Sequence, residues 1–348
     1  MSQSVKALAA NTKGDFASFN QTVIQRRNLR PDDVAIDIKY CGICHSDVSM
    51  VQWQGAHFPM VPGHEISGLV SAVGSNVTNF KPGDRVGVGC FVNSCGKCAA
   101  CKAGQEQFCE HGVVVVFDSE DDDGTITQGG YSQAIVVKDH FVLHIPDELA
   151  LQDAAPLLCA GITTYNPLKR FNVGKNSHVA IIGLGGLGHI AVQFAAKMGA
   201  QVTVLGHSES KRNEAQQFGA TDYQILKSPA DFQALAGHFD FILNTVAADM
   251  DLNSYLPLVK SNGVFCYVGI PSNDIHFNLF SIFGNQAKVT ASNVGGIQMT
   301  QAMLDFAAKN DIKPQIEMIG IDDVPQAYQN ILDSKVHYRY VIDMSTLK

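Results

Sequence analysis

The sequence predicts an α/β protein: a mostly β domain rich in turns, followed by a doubly wound parallel sheet. Three observations carry this. The first 150 residues set turn signals (Pro62-Gly63, Lys81-Pro82-Gly83-Asp84, Gly129-Gly130) between short β-type runs. From about residue 153, short apolar runs alternate with stretches of helical spacing. The length of 348 residues suits two domains with a buried core each.

In the first part, Arg85 to Val88 and Ala134 to Val137 read as strands. In the second, the candidate strands are His178 to Ile182, Gln201 to Leu205, Tyr223 to Leu226, Phe239 to Leu243, Gly263 to Val268 and Lys288 to Ala291. After the first of these, Leu187, Ile190, Ala191, Phe194 and Met198 recur at helical spacing. Strand–helix alternation of this kind builds a parallel sheet with helices on both faces. Near the end, Asp323 to Asp333 reads as a helix and Tyr338 to Asp343 as a strand, a return to the first domain. The expected division is therefore a discontinuous domain of residues 1–152 and 291–348 around a domain of residues 153–290.

Bulk properties narrow the function. Net charge is −8 and no Lys/Arg run is present, so nucleic acid is not an expected partner. The one charge run, Glu120 to Asp123, reads as a solvated loop. The start of the chain lacks the pattern of a secretory signal, and no apolar stretch is long enough to span a membrane. A cytosolic protein is expected. Nine cysteines then argue for metal or catalysis over disulfides, and an odd count excludes complete pairing within one chain.

Cys95, Cys98, Cys101 and Cys109 form C-x2-C-x2-C-x7-C. Four thiolates at this spacing, amid small and polar residues such as Gly96, Lys97, Lys102 and Gly104, suit a tetrahedral zinc with no open position. A closed site of this kind holds a loop together and activates nothing.

Gly183-Leu184-Gly185-Gly186-Leu187-Gly188 follows an apolar strand and opens a helix, the context a dinucleotide-binding turn requires. Gly183 permits the turn, Gly185 lets backbone approach the pyrophosphate, and Gly188 allows close helix–strand packing. An NAD site would carry an acid about 20 residues on. Here the second strand runs into Gly206-His207-Ser208-Glu209-Ser210-Lys211-Arg212. The acid is missing at the strand end, and a hydroxyl and two cations stand where a 2′-phosphate would need them, so NADP(H) is expected. Glu209 lies past the strand end and is expected to face solvent.

Three segments retain ligand-type residues: Cys41-Gly42-Ile43-Cys44-His45-Ser46-Asp47, Gly63-His64-Glu65, and Pro156-Leu157-Leu158-Cys159-Ala160-Gly161. Spacing alone does not join them, and Cys41-x2-Cys44 reads equally as a redox pair or half a zinc knuckle.

CGICHSD, PGHE, the four-cysteine lobe, PLLCAGITTY, GLGGLG and the terminal RYVID extend over nearly the whole chain. Together they resemble the zinc-containing medium-chain alcohol dehydrogenases, specifically the cinnamyl-alcohol-dehydrogenase-like, NADP-dependent branch. The resemblance implies a GroES-like catalytic domain with a Rossmann domain, two zinc ions per chain, and a dimer formed through the nucleotide-binding sheets. It implies that Cys44, His64 and Cys159 bind the catalytic zinc and leave one position open; two cysteines and a histidine are the known ligand set of alcohol dehydrogenases, carried onto these three residues by the resemblance alone. Glu65 matches a residue beside the zinc that replaces water in some states, and Asp47 a carboxylate that orients His64. Ser46 matches the first step of a proton relay whose usual histidine is Ser49 here, a departure that leaves the second step without its residue. His45 and Arg339 match positions near the pyrophosphate, and Thr163 a position lining the nicotinamide pocket. Trp53, Gln54 and Phe58 are candidates for the substrate pocket, with His57 a wall or surface residue. Cys41, Cys90 and Cys266 are expected to be buried small hydrophobes. The implied activity is interconversion of alcohols and aldehydes.

Overall fold

In the computed structural model, residues 3–348 are described. They form two compact units. One comprises the chain up to Ile162 together with Gly295–Lys348; the other is Thr163–Val294.

The first unit is built on a seven-stranded sheet. In spatial order its strands are Ile316–Ile319, Arg339–Asp343, Asp33–Gly42, Ile66–Val73, Arg85–Val88 and Leu143–His144, with Ala134–Lys138 also paired to Asp33–Gly42. The chain's end does return here: Val341 and Ile342 lie antiparallel to Gly42 and Cys41. Alternating inward residues such as Val34, Ile36 and Ile38 are buried, as a sheet with one covered face requires.

The second unit is a six-stranded sheet, all neighbours parallel. Its order is Asp222–Ile225, Gln201–Gly206, His178–Ile182, Phe239–Asn244, Val259–Tyr267, Lys288–Ala291. This is the doubly wound order, with the switch point beside the first strand of the unit. Val179 to Ile181 are fully buried, consistent with a sheet covered on both faces. Gly188–Lys197 forms the helix after the glycine turn and buries Ile190, Ala191 and Phe194, the spaced residues of the sequence.

Two expectations are corrected. Residues 153–162 belong to the first unit, because the Leu151–Pro156 helix and the turn after it pack onto that unit's sheet. Ser67 Oγ donates to Leu151 O at 2.7 Å, and a Cβ on Gly87 would lie 2.8 Å from Leu158. Ala291 pairs with Tyr267 and so stays with the second unit. The acidic run is also less solvated than expected. Asp121 is 6% exposed, accepting from Arg27 at 3.0 Å and from Asn93 at 2.7 Å. Asp122 pairs with Lys138, and Asp123 with Arg30. Among the described residues no helix is long and apolar enough to cross a membrane.

Candidate metal and nucleotide sites

The Asp33–Gly42 strand delivers Cys44 to the start of the His45–Gln52 helix. The Pro62-Gly63 turn delivers His64. Gly63 has φ +104°, and a Cβ there would lie 2.8 Å from the Cys41 sulfur, so only glycine serves. The Gly129-Gly130 turn closes beneath it, with Gly130 N donating to Gly63 O at 2.8 Å. Cys159 sits in the middle of Leu157–Gly161, a π-helical turn with every residue buried. Such turns recur at functional sites because the extra residue re-aims a side chain.

These elements bring together Cys44, His64, Glu65 and Cys159, whose ligand atoms all lie within 4.8 Å of one another. The two thiols are 3.9 Å apart. The hydrogen bond with Cys159 and the nearby charges of His64 and Arg339 hold Cys44 well below the usual thiol range, and the same bond pushes Cys159 well above it. Asp47, fully buried, ties the ligand segments together. Its Oδ2 accepts from Cys44 N at 2.8 Å. Its Oδ1 accepts from Gly63 N at 3.1 Å and stands 2.9 Å from His64 Nδ1. A carboxylate only accepts, so Nδ1 carries the proton and Nε2 is left for a metal. Burial disfavours a charged His64, but Asp47 and the neighbouring thiols outweigh it and raise its pKa well above the ordinary value.

Glu65 Oε1 is paired with Arg339 in a fully buried contact, while Oε2 is buried with no partner. Burial raises the Glu65 carboxyl to about 8 despite Arg339. A Cβ on Gly42 would lie 2.0 Å from Oε2, so a glycine is needed to seat this carboxylate. Two thiols, an imidazole nitrogen and an orphaned carboxylate oxygen at one point suit zinc.

Ser46 is exposed, its Oγ 3.7 Å from the Cys44 sulfur. His45 and Ser49 are also exposed on that helix. His57 stands outside the cluster, exposed, with Nδ1 2.8 Å from Asp118 Oδ1. Trp53 is 55% exposed, as Gln54 also is, and Phe58 is half-buried.

Cys95, Cys98, Cys101 and Cys109 form the second cluster, again with all sulfurs within 4.8 Å. Backbone N–H groups of Cys98, Cys101 and Cys95 donate to the sulfurs of Cys95, Cys98 and Cys109 at 3.4, 3.5 and 3.5 Å. Such donors stabilise thiolates. Gly96 and Gly104, at φ +66° and +67°, make the bends.

In the second unit the glycine loop has the geometry its pattern requires. Gly183 has φ +87°, nothing would crowd a Cβ on Gly185, and one on Gly188 would lie 2.1 Å from Gly183 O. Gly186 and Leu187 complete the turn, with Leu187 at the helix N-cap. Thr163 is half-buried in the Ile162–Arg170 helix. Lys211 Nζ donates to Leu184 O at 2.7 Å, which puts a cation on the glycine loop itself. Ser208 Oγ lies 2.8 Å from Ser210 Oγ, and His207 is exposed. Glu209 is exposed, as expected from sequence, and there it pairs with Arg212 at 2.6 and 3.0 Å. Arg212 also donates to Tyr223 O at 2.6 Å and lies over the Tyr223 ring.

Sequence reasoning missed three neighbours of the metal cluster. Phe117 packs its ring 6.0 Å from that of His64. Arg339, matched by the resemblance to a position near the pyrophosphate, is 6% exposed and pairs with Glu65, a contact the sequence did not suggest. Cys90, expected as a buried hydrophobe in a strand, is half-buried outside any strand, and the residue before it presses on the Cys159 turn, where a Cβ on Gly89 would lie 2.9 Å from Leu158 O. All three depend on contacts between distant segments. Cys41 and Cys266 are buried as expected, and burial pushes the Cys266 thiol up to about 12.

Residues 30–147 match the family described as alcohol dehydrogenase GroES-like domain, and residues 186–309 match zinc-binding dehydrogenase. The chain is 56% identical over 333 residues to a probable formaldehyde dehydrogenase of Bacillus subtilis, covering 95% of each. It is 50% identical to the NADP-dependent alcohol dehydrogenase C 1 of Mycolicibacterium smegmatis, covering 99% of each. Among solved structures, cinnamyl alcohol dehydrogenase of Sorghum bicolor superposes with a TM-score of 0.94 at 37% identity, covering 99% of each chain.

Proposed function

This chain belongs to the zinc-containing medium-chain alcohol dehydrogenases, and from that membership we propose that it reduces aldehydes to alcohols with NADPH, and runs the reverse oxidation with NADP+. The single observation that carries the reading is the convergence of Cys44, His64 and Cys159 with Asp47 holding His64 Nδ1. We assign these three side chains as ligands of a catalytic zinc, Glu65 Oε2 as the alternative fourth donor, and the four-cysteine lobe as a structural zinc site. When bound, the metal supplies a Lewis acid for the carbonyl oxygen and NADPH supplies the hydride.

The chain's own residues do the rest. Asp47 fixes the imidazole's tautomer and direction. Arg339 holds one Glu65 oxygen and leaves the other unpaired toward the cluster. Ser46, exposed beside Cys44, moves the hydroxyl proton between the buried cluster and solvent; with Ser49 in the next position, water or the cofactor's ribose completes that path. Gly183, Gly185 and Gly188 leave backbone room for the pyrophosphate. Ser208 and Lys211 are assigned to the 2′-phosphate, with Arg212 contributing after release from Glu209; His45 and Thr163 remain assigned to the cofactor by resemblance.

Aromatic or medium-chain aldehydes are the proposed substrates, a homodimer the proposed assembly and the cytosol, where thiols stay reduced, the proposed compartment. The test is a panel of aldehydes, from formaldehyde to cinnamaldehyde, run with NADPH and with NADH on enzyme of known zinc content. Two zinc ions per chain and faster turnover with NADPH are expected. Iron, a single zinc, or preference for NADH would overturn the reading.

A further inference from the structure

Arg26 ends the Asn20–Arg26 strand, which pairs antiparallel with Gln3–Ala9. It is 8% exposed. Its guanidinium donates to four oxygens: Ala134 O at 2.8 Å, Gln128 O at 2.6 Å, Gly129 O at 2.8 Å and Ser132 Oγ at 2.7 Å. All four are uncharged, and burial with Arg27 beside it pushes the Arg26 pKa down to about 9. A cation desolvated on neutral acceptors gains little from its charge. Its use here is a planar fork that fixes several acceptors at once. Those acceptors belong to the turn that closes beneath the metal cluster. Val61 N donates to Gln128 Oε1 at 2.8 Å, Gly129 N to Val61 O at 2.7 Å, Tyr131 N to Pro62 O at 3.0 Å and Gly130 N to Gly63 O at 2.8 Å. The packing leaves no slack: a Cβ on Gly129 would lie 2.3 Å from Pro62 O, and one on Gly130 2.4 Å from Ile66. On its other side Gly63 donates its N–H to Asp47, which also holds His64 Nδ1. The backbone that enters His64 is thus fixed through the Gly63 N–H by Asp47, and through the Gly63 carbonyl by a turn that Arg26 holds.

We propose that Arg26 is a positioning residue of the catalytic metal site: it locks the turn of residues 128–131, the turn locks the Gly63 carbonyl, and the direction of the His64 imidazole follows. This rests on the assignment of Cys44, His64 and Cys159 as ligands. The sulfurs of the four-cysteine lobe take their backbone donors from their own loop, so loosening the turn is felt at one metal and not at the other. Lysine in place of Arg26 keeps the charge, but as a point donor it cannot serve three carbonyls and a hydroxyl together. Methionine fills much of the same space with no donor, and leaves the Gln128, Gly129 and Ala134 carbonyls without this partner. The turn then moves to find other donors, and His64 moves with it. The ion stays coordinated in poorer geometry and leaves sooner.

The experiment follows zinc passing from the zinc-loaded full chain to a chelating colorimetric indicator, in wild type, Arg26→Met, Arg26→Lys and Val34→Ala. The release phase missing from Cys159→Ala identifies the catalytic ion. Val34, fully buried at the end of the Asp33–Gly42 strand opposite the metal, supplies a loss of core packing away from the site. Expected are catalytic-site release about tenfold faster in Arg26→Met, an intermediate rate in Arg26→Lys, and unchanged lobe release in both. Val34→Ala should lower the thermal midpoint and leave both rates alone. Cobalt(II) in the Cys44 site should show displaced visible ligand-field bands in Arg26→Met, which a loss of stability alone does not produce. Catalytic-site release at the wild-type rate from Arg26→Met, or equally fast release from Val34→Ala, would overturn the proposal. If Arg26→Met does not fold, Arg26→Lys decides on the same rate and spectrum. The ligand assignment fails separately: a Cys159→Ala that still carries two zinc ions removes it, and the proposal with it. A Cys159→Ala that carries one zinc ion, together with unchanged release from Arg26→Met, leaves the assignment standing and defeats the proposal alone.

Discussion

At the scale of residues, Asp47 decides the most. Three donors converge on its two oxygens, from Cys44 N, Gly63 N and His64 Nδ1. An amide of the same size offers one acceptor oxygen and turns its NH2 toward a donor. Asp47→Asn is thus expected to keep the fold but weaken zinc binding at the Cys44 site by roughly 10–100-fold. Competition with a chelator measures it, and the four-cysteine site should hold its ion unchanged. The nucleotide end separates two cations that look alike in sequence. Lys211 lies on the glycine loop at Leu184 O, whereas Arg212 is engaged by Glu209 and Tyr223. Lys211→Ala is expected to raise the KM for NADPH about tenfold, the scale of one charge-assisted hydrogen bond, and Arg212→Ala less. Neither should move the KM for NADH appreciably; equal shifts for both cofactors would exclude a 2′-phosphate role.

At the scale of elements, the four-cysteine lobe is where sequence and structure agree for a physical reason. Its ligands are local, so spacing alone brings them together. The same holds for the doubly wound unit: His178–Ile182 and Lys288–Ala291 fall where apolar periodicity puts them. The strand read as Gly263 to Val268 starts earlier, at Val259, because its first residue pairs across a register shift with Phe239. The catalytic cluster was legible only through resemblance, since Cys44 and Cys159 are brought together by the packing of a π-helical turn on a sheet. Cys90 was misread, and the pairing of Arg339 with Glu65 was missed, because segments far along the chain decide their surroundings. The lobe also reaches beyond its metal. Glu106, 1% exposed, accepts from Ile297 N at 3.1 Å and pairs with His140 at 2.8 Å, anchoring the start of the Ile297–Lys309 helix. Cys98→Ser should therefore cost one zinc ion and lower the thermal midpoint by on the order of 10 °C. A calorimetric scan of zinc-replete protein checks this; an unchanged midpoint would mean the lobe is dispensable for stability.

At the scale of the whole molecule, the second unit ends its sheet on Lys288–Ala291, which pairs on one side only, with Val259–Tyr267. Close to it in sequence, Ile270, Leu279, Phe280 and Phe283 are 85%, 71%, 82% and 78% exposed. Single exposed apolar residues are ordinary, but five large ones within fourteen positions, Ile275 being the fifth at 45%, in the segment leading to an unpaired parallel edge, are a liability for a monomer. A two-fold axis across that edge would pair each Lys288–Ala291 strand with its copy and bury both sets of aromatic rings, a closed and self-complementary contact. Light scattering of the wild type should then give a particle of two chains. Phe280→Asp combined with Phe283→Asp should give one chain, because each carboxylate would have to be desolvated against its copy. Circular dichroism of the variant should match the wild type, since neither ring belongs to the buried core of the unit. A wild type that runs as a single chain, or a double variant that stays paired, would place the assembly surface elsewhere.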